Sequence, residues 1–356
     1  MGTLVVGLSL CWLGGCASVE KPKATLKYGM EDSAEGKTIH FPPPPEVPRY
    51  AYGGQLIGEI NLVYEKKPEE SFGSKLFRWL TGLDDAPPQP LELYRPQGVA
   101  VDAQQRVYVS DVARGGVLVF DPLVAEVRLL NRSSGFQTFQ TPVGIAIGDA
   151  GEVLVADADV GLIARLDTLG GPKAPIGQGI LKRPTGVVYD AQQKRIIVAD
   201  TDQHELIFFD LDGRLIKRVG RLGDALGEFN RPTFLAIWRN ELYVADTMNA
   251  RIQVLDLDSG EPIRSIGQRG RNVGDLVRPK GVALDSEGRL YVVESMHDHL
   301  LIFDRQGQFL LPIGGTGYAS GNFYLPSGVA IDSNNRVYVA DMFNGRVVTY
   351  VFLGGE

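Results

Sequence analysis

The chain is poor in the residues that most often carry chemistry. Its two cysteines, Cys11 and Cys16, lie at the very start, and the rest has none. The body therefore holds no disulfide and no thiol, which excludes cysteine proteases, zinc ribbons and thiol redox chemistry. Histidine is nearly as scarce, with four residues: His40, His204, His297 and His299. Basic residues are outnumbered 36 to 43 by acidic ones, for a net charge of −7. Mild acidity disfavours nucleic-acid binding, which needs a basic face, so no nucleic-acid partner is expected. There is no Gly-x-Ser-x-Gly elbow, no phosphate-binding loop and no His-Glu-x-x-His pair. No catalytic residue is assigned. What is abundant is glycine, 43 residues, in a chain that is 44% hydrophobic, a composition suited to an all-β protein with many tight turns.

Residues 4–13 form an apolar run too short to cross a bilayer. The run ends in Leu13-Gly14-Gly15-Cys16, which resembles the bacterial lipobox. The resemblance implies a signal peptide over 1–15 and a lipid on Cys16, with the membrane as a partner through that anchor. Ala17, where an Asp would mark retention at the inner membrane, resembles outer-membrane sorting, so a location on the outer membrane facing the periplasm is expected. Residues 16–49 read as a flexible tether ending in a proline run, Pro42 to Pro45 and Pro48, expected to be extended.

From residue 95 the sequence repeats. Each unit opens on a proline: Pro96, Pro142, Pro184, Pro232, Pro279 and Pro326. A short apolar strand follows, then a second strand ending in an acid: Asp111, Asp157, Asp200, Asp246, Glu294 and Asp341. A third strand and usually a fourth complete the unit. Spacings of 42–48 residues with four short strands each are those of propeller blades. The pattern Pro-x-Gly-Val-Ala-x-Asp, then Val-Ala-Asp-x-x-Asn-x-Arg, resembles the NHL repeat. It is fullest at Val244 to Arg251, and recurs with Asp341, Asn344 and Arg346. The expected fold is an all-β, six-bladed propeller of four-stranded blades over 95–356.

The last unit ends after its third strand. Residues 50–65 offer an apolar strand to complete it, which would leave no open edge. Between lies an insert, 66–94, in which Phe72, Leu76, Trp79, Leu80 and Leu83 fall on one face of a short helix.

Alternate turns of a four-stranded meander share a face. Arg95, Arg183, Arg231 and Arg278, each directly before a unit's proline, are expected on the same face as the six acids. The repeated acids read as structural caps of turn amides. The arginines, joined by His297 and His299, are candidates to hold a partner's carboxylate or phosphate. Related amidating lyases use a zinc held by three histidines inside a six-bladed propeller, and that resemblance makes His204, His297 and Glu294 the weak candidates for a divalent metal; no other cofactor is expected. The reading that follows is an envelope-anchored binding or scaffolding propeller for a protein or glycan. The alternative is a metal-dependent lyase or lactonase on the same face. RNA binding, known for some eukaryotic NHL domains, fits the charge and the export signal poorly.

Overall fold

The computed structural model describes residues 23–28, 38–65 and 90–354. The signal peptide, Cys16, most of the tether and the helix expected near residues 69–83 lie outside them. One compact unit comprises 25–63 and 85–356. Of the other, 1–24 and 64–84, only Lys23, Ala24, Tyr64 and Glu65 are described; the account below concerns the first unit.

Six antiparallel sheets follow one another along the chain, one per repeat. Four of the six second strands, among them Val107–Asp111, Val153–Asp157 and Leu290–Glu294, are buried from end to end, and the other two in all but their first residue. Each is covered on both faces by neighbouring blades, which explains its continuous apolar sequence where a half-exposed strand would alternate. An outermost strand such as Leu215–Val219 has no buried residue. Blade two is the exception in strand count. Its third strand, Leu162–Leu166, meets only isolated bridges at Ile176 and Pro172. Pro172 and Pro175 lack the amide donors a fourth strand would need.

The innermost strands show why Gly follows the opening Pro-x. A Cβ on Gly98, Gly144, Gly186, Gly281 or Gly328 would lie closer than 3.0 Å to the backbone of the next blade, in each case at the carbonyl of its x residue. The blades thus meet around the axis through backbone contact that only glycine permits. Blade four alone carries a side chain there, Phe234.

Closure uses the chain's beginning. Tyr50–Leu56 pairs antiparallel with Arg346–Phe352, and His40–Phe41 adds a further short strand outside it. The proline run at 42–48 is therefore a turn within blade six and not the extended spacer expected from its composition, because the flanking segments find a sheet edge to pair with. Tyr50 and Tyr291, from blades six and five, join their hydroxyls at 2.8 Å, and Tyr291 also reaches Asp285 at 3.0 Å.

Candidate site at the mouth of the ring

The opening prolines, the repeated acids and the turns after the acids lie at one end of the ring. All six acids are fully buried. Each accepts hydrogen bonds from the backbone just before its own blade's proline. Asp157 takes Gln140 N–H and Thr141 N–H, both at 2.9 Å; Asp200 takes Lys182 at 2.6 Å and Arg183 at 3.1 Å. Asp111 and Glu294 do the same for Tyr94 with Arg95 and for Val277 with Arg278. Asp246 and Asp341 bond Asn230 and Tyr324 and also pair with Arg251 and Arg346, both at 2.8 Å. These carboxylates are consumed in holding the entry to each blade.

The arginines before the prolines divide into two kinds. Three of them, Arg95, Arg183 and Arg231, meet the residue two positions after the acid of the preceding blade. In blade two that residue is Asp159, and Arg183 pairs with it at 2.8 Å. In blade three it is Asp202, and Arg231 pairs with it at 3.4 Å. Beyond this point the acid is gone: the same position is Met248 in blade four, Met296 in blade five and Phe343 in blade six. All three are exposed. Arg278 accordingly has no ion pair among the described residues. Arg95 has none either and lies over the Phe343 ring, 5.3 Å from its centre. Tyr324 packs against Phe343 at 5.6 Å, and Tyr318 against Tyr324 at 6.0 Å.

A third cation stands between them. The x residue of Pro-x-Gly is Thr185, Thr233 and Ser327 in blades three, four and six, each hydrogen-bonded to a neighbouring side chain. In blade five it is Lys280, half-buried and without a hydrogen bond or ion pair among the described residues. Burial pushes its ammonium below the usual lysine range, and Arg278 and Arg95 push it further. Lys280 lies on the innermost strand of blade five, directly after the proline that opens it at the mouth. This face is self-neutralised at the junctions of blades two, three and four; beyond them it combines three cations, unpaired among the described residues, with exposed methionine and aromatic side chains.

A family model described as a 6-bladed beta-propeller matches residues 185–269 and 277–356. The protein brain tumor of Drosophila melanogaster is 32% identical over 136 residues, covering 37% of this chain and 12% of that protein. NHL repeat-containing protein 2 of Gallus gallus is 30% identical over 113 residues, covering 29% of this chain and 14% of the relative. The chain is a six-bladed β-propeller with NHL-repeat relatives. It matches only a small part of each relative's length. Among solved structures, a streptogramin B lyase superimposes with a TM-score of 0.55 at 12% identity, over 73% of this chain and 94% of the lyase, a likeness of fold alone.

The propeller does not assemble the metal candidates. His204, in blade three, accepts the Arg231 N–H at 3.1 Å through Nδ1. Glu294, in blade five, is occupied by backbone amides. His299 bonds the His297 carbonyl through Nδ1. Among the described residues no three His, Cys, Asp or Glu side chains gather as a metal site would require. His297 and His299 instead line a cavity of about 280 Å³ with Arg271, Met296 and Thr316, on the cationic part of the face.

Of the four arginines singled out by position, Arg183 and Arg231 are internally paired and Arg95 and Arg278 are free of carboxylates. Sequence reasoning missed Lys280, Met248, Met296 and Phe343. The signal was present: aligning the units at the acid shows Asp159 and Asp202 giving way to Met248, Met296 and Phe343.

Proposed function

We propose that this propeller is a binding and scaffolding module, held at the cell envelope by a lipid on Cys16. It engages a partner through the part of the mouth face formed by blades four, five, six and one. The observation that carries this reading is the absence of the inter-blade acid there, which leaves Arg95 and Arg278 without an ion pair among the described residues, beside Lys280 and the exposed Met248, Met296 and Phe343. Aromatic, Met and Arg side chains are the types enriched at the centres of protein interfaces. A contiguous apolar patch rimmed by charge marks an interaction surface. Of the two partner classes, protein or glycan, these side chains favour an acidic protein. Among the described residues, the metal-dependent lyase or lactonase reading has no gathered ligand set to support it.

Reversing two charges tests the surface. Arg95→Glu with Arg278→Glu should reduce recovery of the cross-linked partner from intact envelopes at least tenfold, with the circular-dichroism melt unchanged. Replacing the internally paired Arg183 by Ala should leave recovery within twofold. Equal recovery from both variants would remove this face from the reading. Anchoring is tested separately: Cys16→Ala should release the chain from the membrane fraction and abolish incorporation of labelled palmitate. A variant that remained membrane-bound with unchanged mobility would eliminate Cys16 as the anchor.

A further inference from the structure

Resting on that reading, we infer that Lys280 seats one carboxylate of an extended acidic peptide segment, which lies across the mouth with its neighbouring apolar side chains on Met248, Met296 and Phe343.

Lys280 departs from every counterpart in the ring. Thr185, Thr233 and Ser327 find side-chain partners within one hydrogen bond, and Gln97 bonds both Ser327 and the Met342 sulfur. Val143 needs none. Lys280 replaces this local satisfaction with a charge on which, among the described residues, two more cations act, Arg278 and Arg95. A half-buried ammonium without a counter-ion is costly to the folded state. An incoming carboxylate removes that cost and takes charge-assisted hydrogen bonds from the amine. With Arg278 on the same blade and Arg95 reaching from blade one, the seat is approached by positive charge from two sides.

What surrounds the seat selects a peptide. Methionine side chains adapt to irregular apolar partners, and two of them, Met248 and Met296, are exposed in the turns after the acids of blades four and five. The aromatic side chains are packed at steep angles: Phe343 and Tyr324 meet edge to face at 64°, and Tyr324 and Tyr318 are tilted at 58°. One face of Phe343 is already under the Arg95 guanidinium. Such an array presents an uneven apolar surface and not the open, parallel ring faces on which sugars or bases would stack.

The test uses the detergent-solubilised full chain and a fluorescein-labelled peptide of five Glu-Leu repeats, followed by anisotropy. The parent should bind, and Lys280→Gln should weaken binding at least tenfold while melting at the same or a higher temperature, since an unpaired charge has been removed. Binding by the parent should weaken as pH rises through the lowered range of Lys280, below that of an ordinary lysine. The complex holds the proton that the free site gives up, so affinity is full below that range and lost above it. Lys280→Arg should stay flat over the same interval. Binding by Lys280→Gln within twofold of the parent would overturn the inference, as would displacement of the peptide by an equal charge concentration of polygalacturonate or polyuridylate, which would point to a glycan or a nucleic acid. If the envelope partner still depends on Arg95 and Arg278 while Lys280→Gln binds the peptide normally, the seat is wrong and the surface stands. If partner recovery ignores all three cations, the surface itself is wrong.

Discussion

Leucine in place of Arg346 is expected to cost about 3–5 kcal/mol of unfolding free energy, the range for removing one partner of a buried ion pair. Arg346 is the hub of the closing blade. Its Nε donates to Asp341 at 2.8 Å, Nη1 to Gln55 at 2.9 Å and to the Tyr318 carbonyl at 3.1 Å, and Nη2 to the carbonyls of Ala319 and Asn322. The bond to Gln55, 291 residues earlier in the chain, ties the third strand to Tyr50–Leu56. Leucine fills the stem's volume but leaves Asp341 without its cation. Burial already pushes the Asp341 carboxyl above the ordinary aspartate range, against the pull of Tyr324 N–H, Asn344 and Arg346. Losing Arg346 moves it further up, so the folded variant holds a proton that the unfolded chain releases. The deficit should therefore be greatest at neutral pH and shrink as pH falls into the raised range. Urea titrations at pH 7.5 and 5.5 measure both effects. A deficit below about 1 kcal/mol, or one independent of pH, would mean the closing blade does not depend on this pair.

Gly186→Ala should destabilise the protein by about 3 kcal/mol, the upper part of the range for overpacking a close-packed interior. The added methyl would overlap the carbonyl oxygen of Thr233 on the next blade. In an open stack the blades could part by a few tenths of an ångström. In a closed ring, moving blade three from blade four presses it on blade two, where Gly144 is already against the Thr185 carbonyl. Strain therefore has nowhere to go. Alanine at Gly179, a surface turn with nothing within 4 Å of its Cβ, is strained only by its own φ of 77°; it should cost less, about 1 kcal/mol. Melting temperatures of the two variants decide the matter. Equal small losses would mean that backbone contact at the axis is not what requires glycine.

Much of this architecture was legible before any coordinates. Six prolines, six acids and runs such as Val153–Asp157 specify blades because each strand's environment repeats, and a repeated environment selects a repeated sequence. The edge left after Arg346–Phe352 made an N-terminal partner strand expected, and Tyr50–Leu56 pairs there. The proline run was misread because composition reports the preference of an isolated segment, and His40–Phe41 gains a sheet partner that an isolated segment lacks. The site was legible only in part. Arg183 and Arg278 occupy the same place in their units, and nothing about either arginine distinguishes a paired from an unpaired one. The distinction lies in a residue of the preceding blade, Asp159 against Met248, and becomes meaningful only once the ring brings successive turns together. Lys280 was overlooked because its departure from Thr185, Thr233 and Ser327, which find side-chain partners, shows only when the units are aligned at the opening proline.

The most direct test of the account is photo-cross-linking from the two ends of the ring in cells expressing the full chain. A benzophenone side chain at Phe343 samples the cationic part of the mouth, and one at Leu123, exposed in the turn between the third and fourth strands of blade one, samples the opposite end. The account predicts a discrete adduct with an acidic protein at position 343 that disappears when Arg95→Glu and Arg278→Glu are added, and none at position 123. An adduct at position 123 alone, or one at position 343 that survives charge reversal, would contradict it.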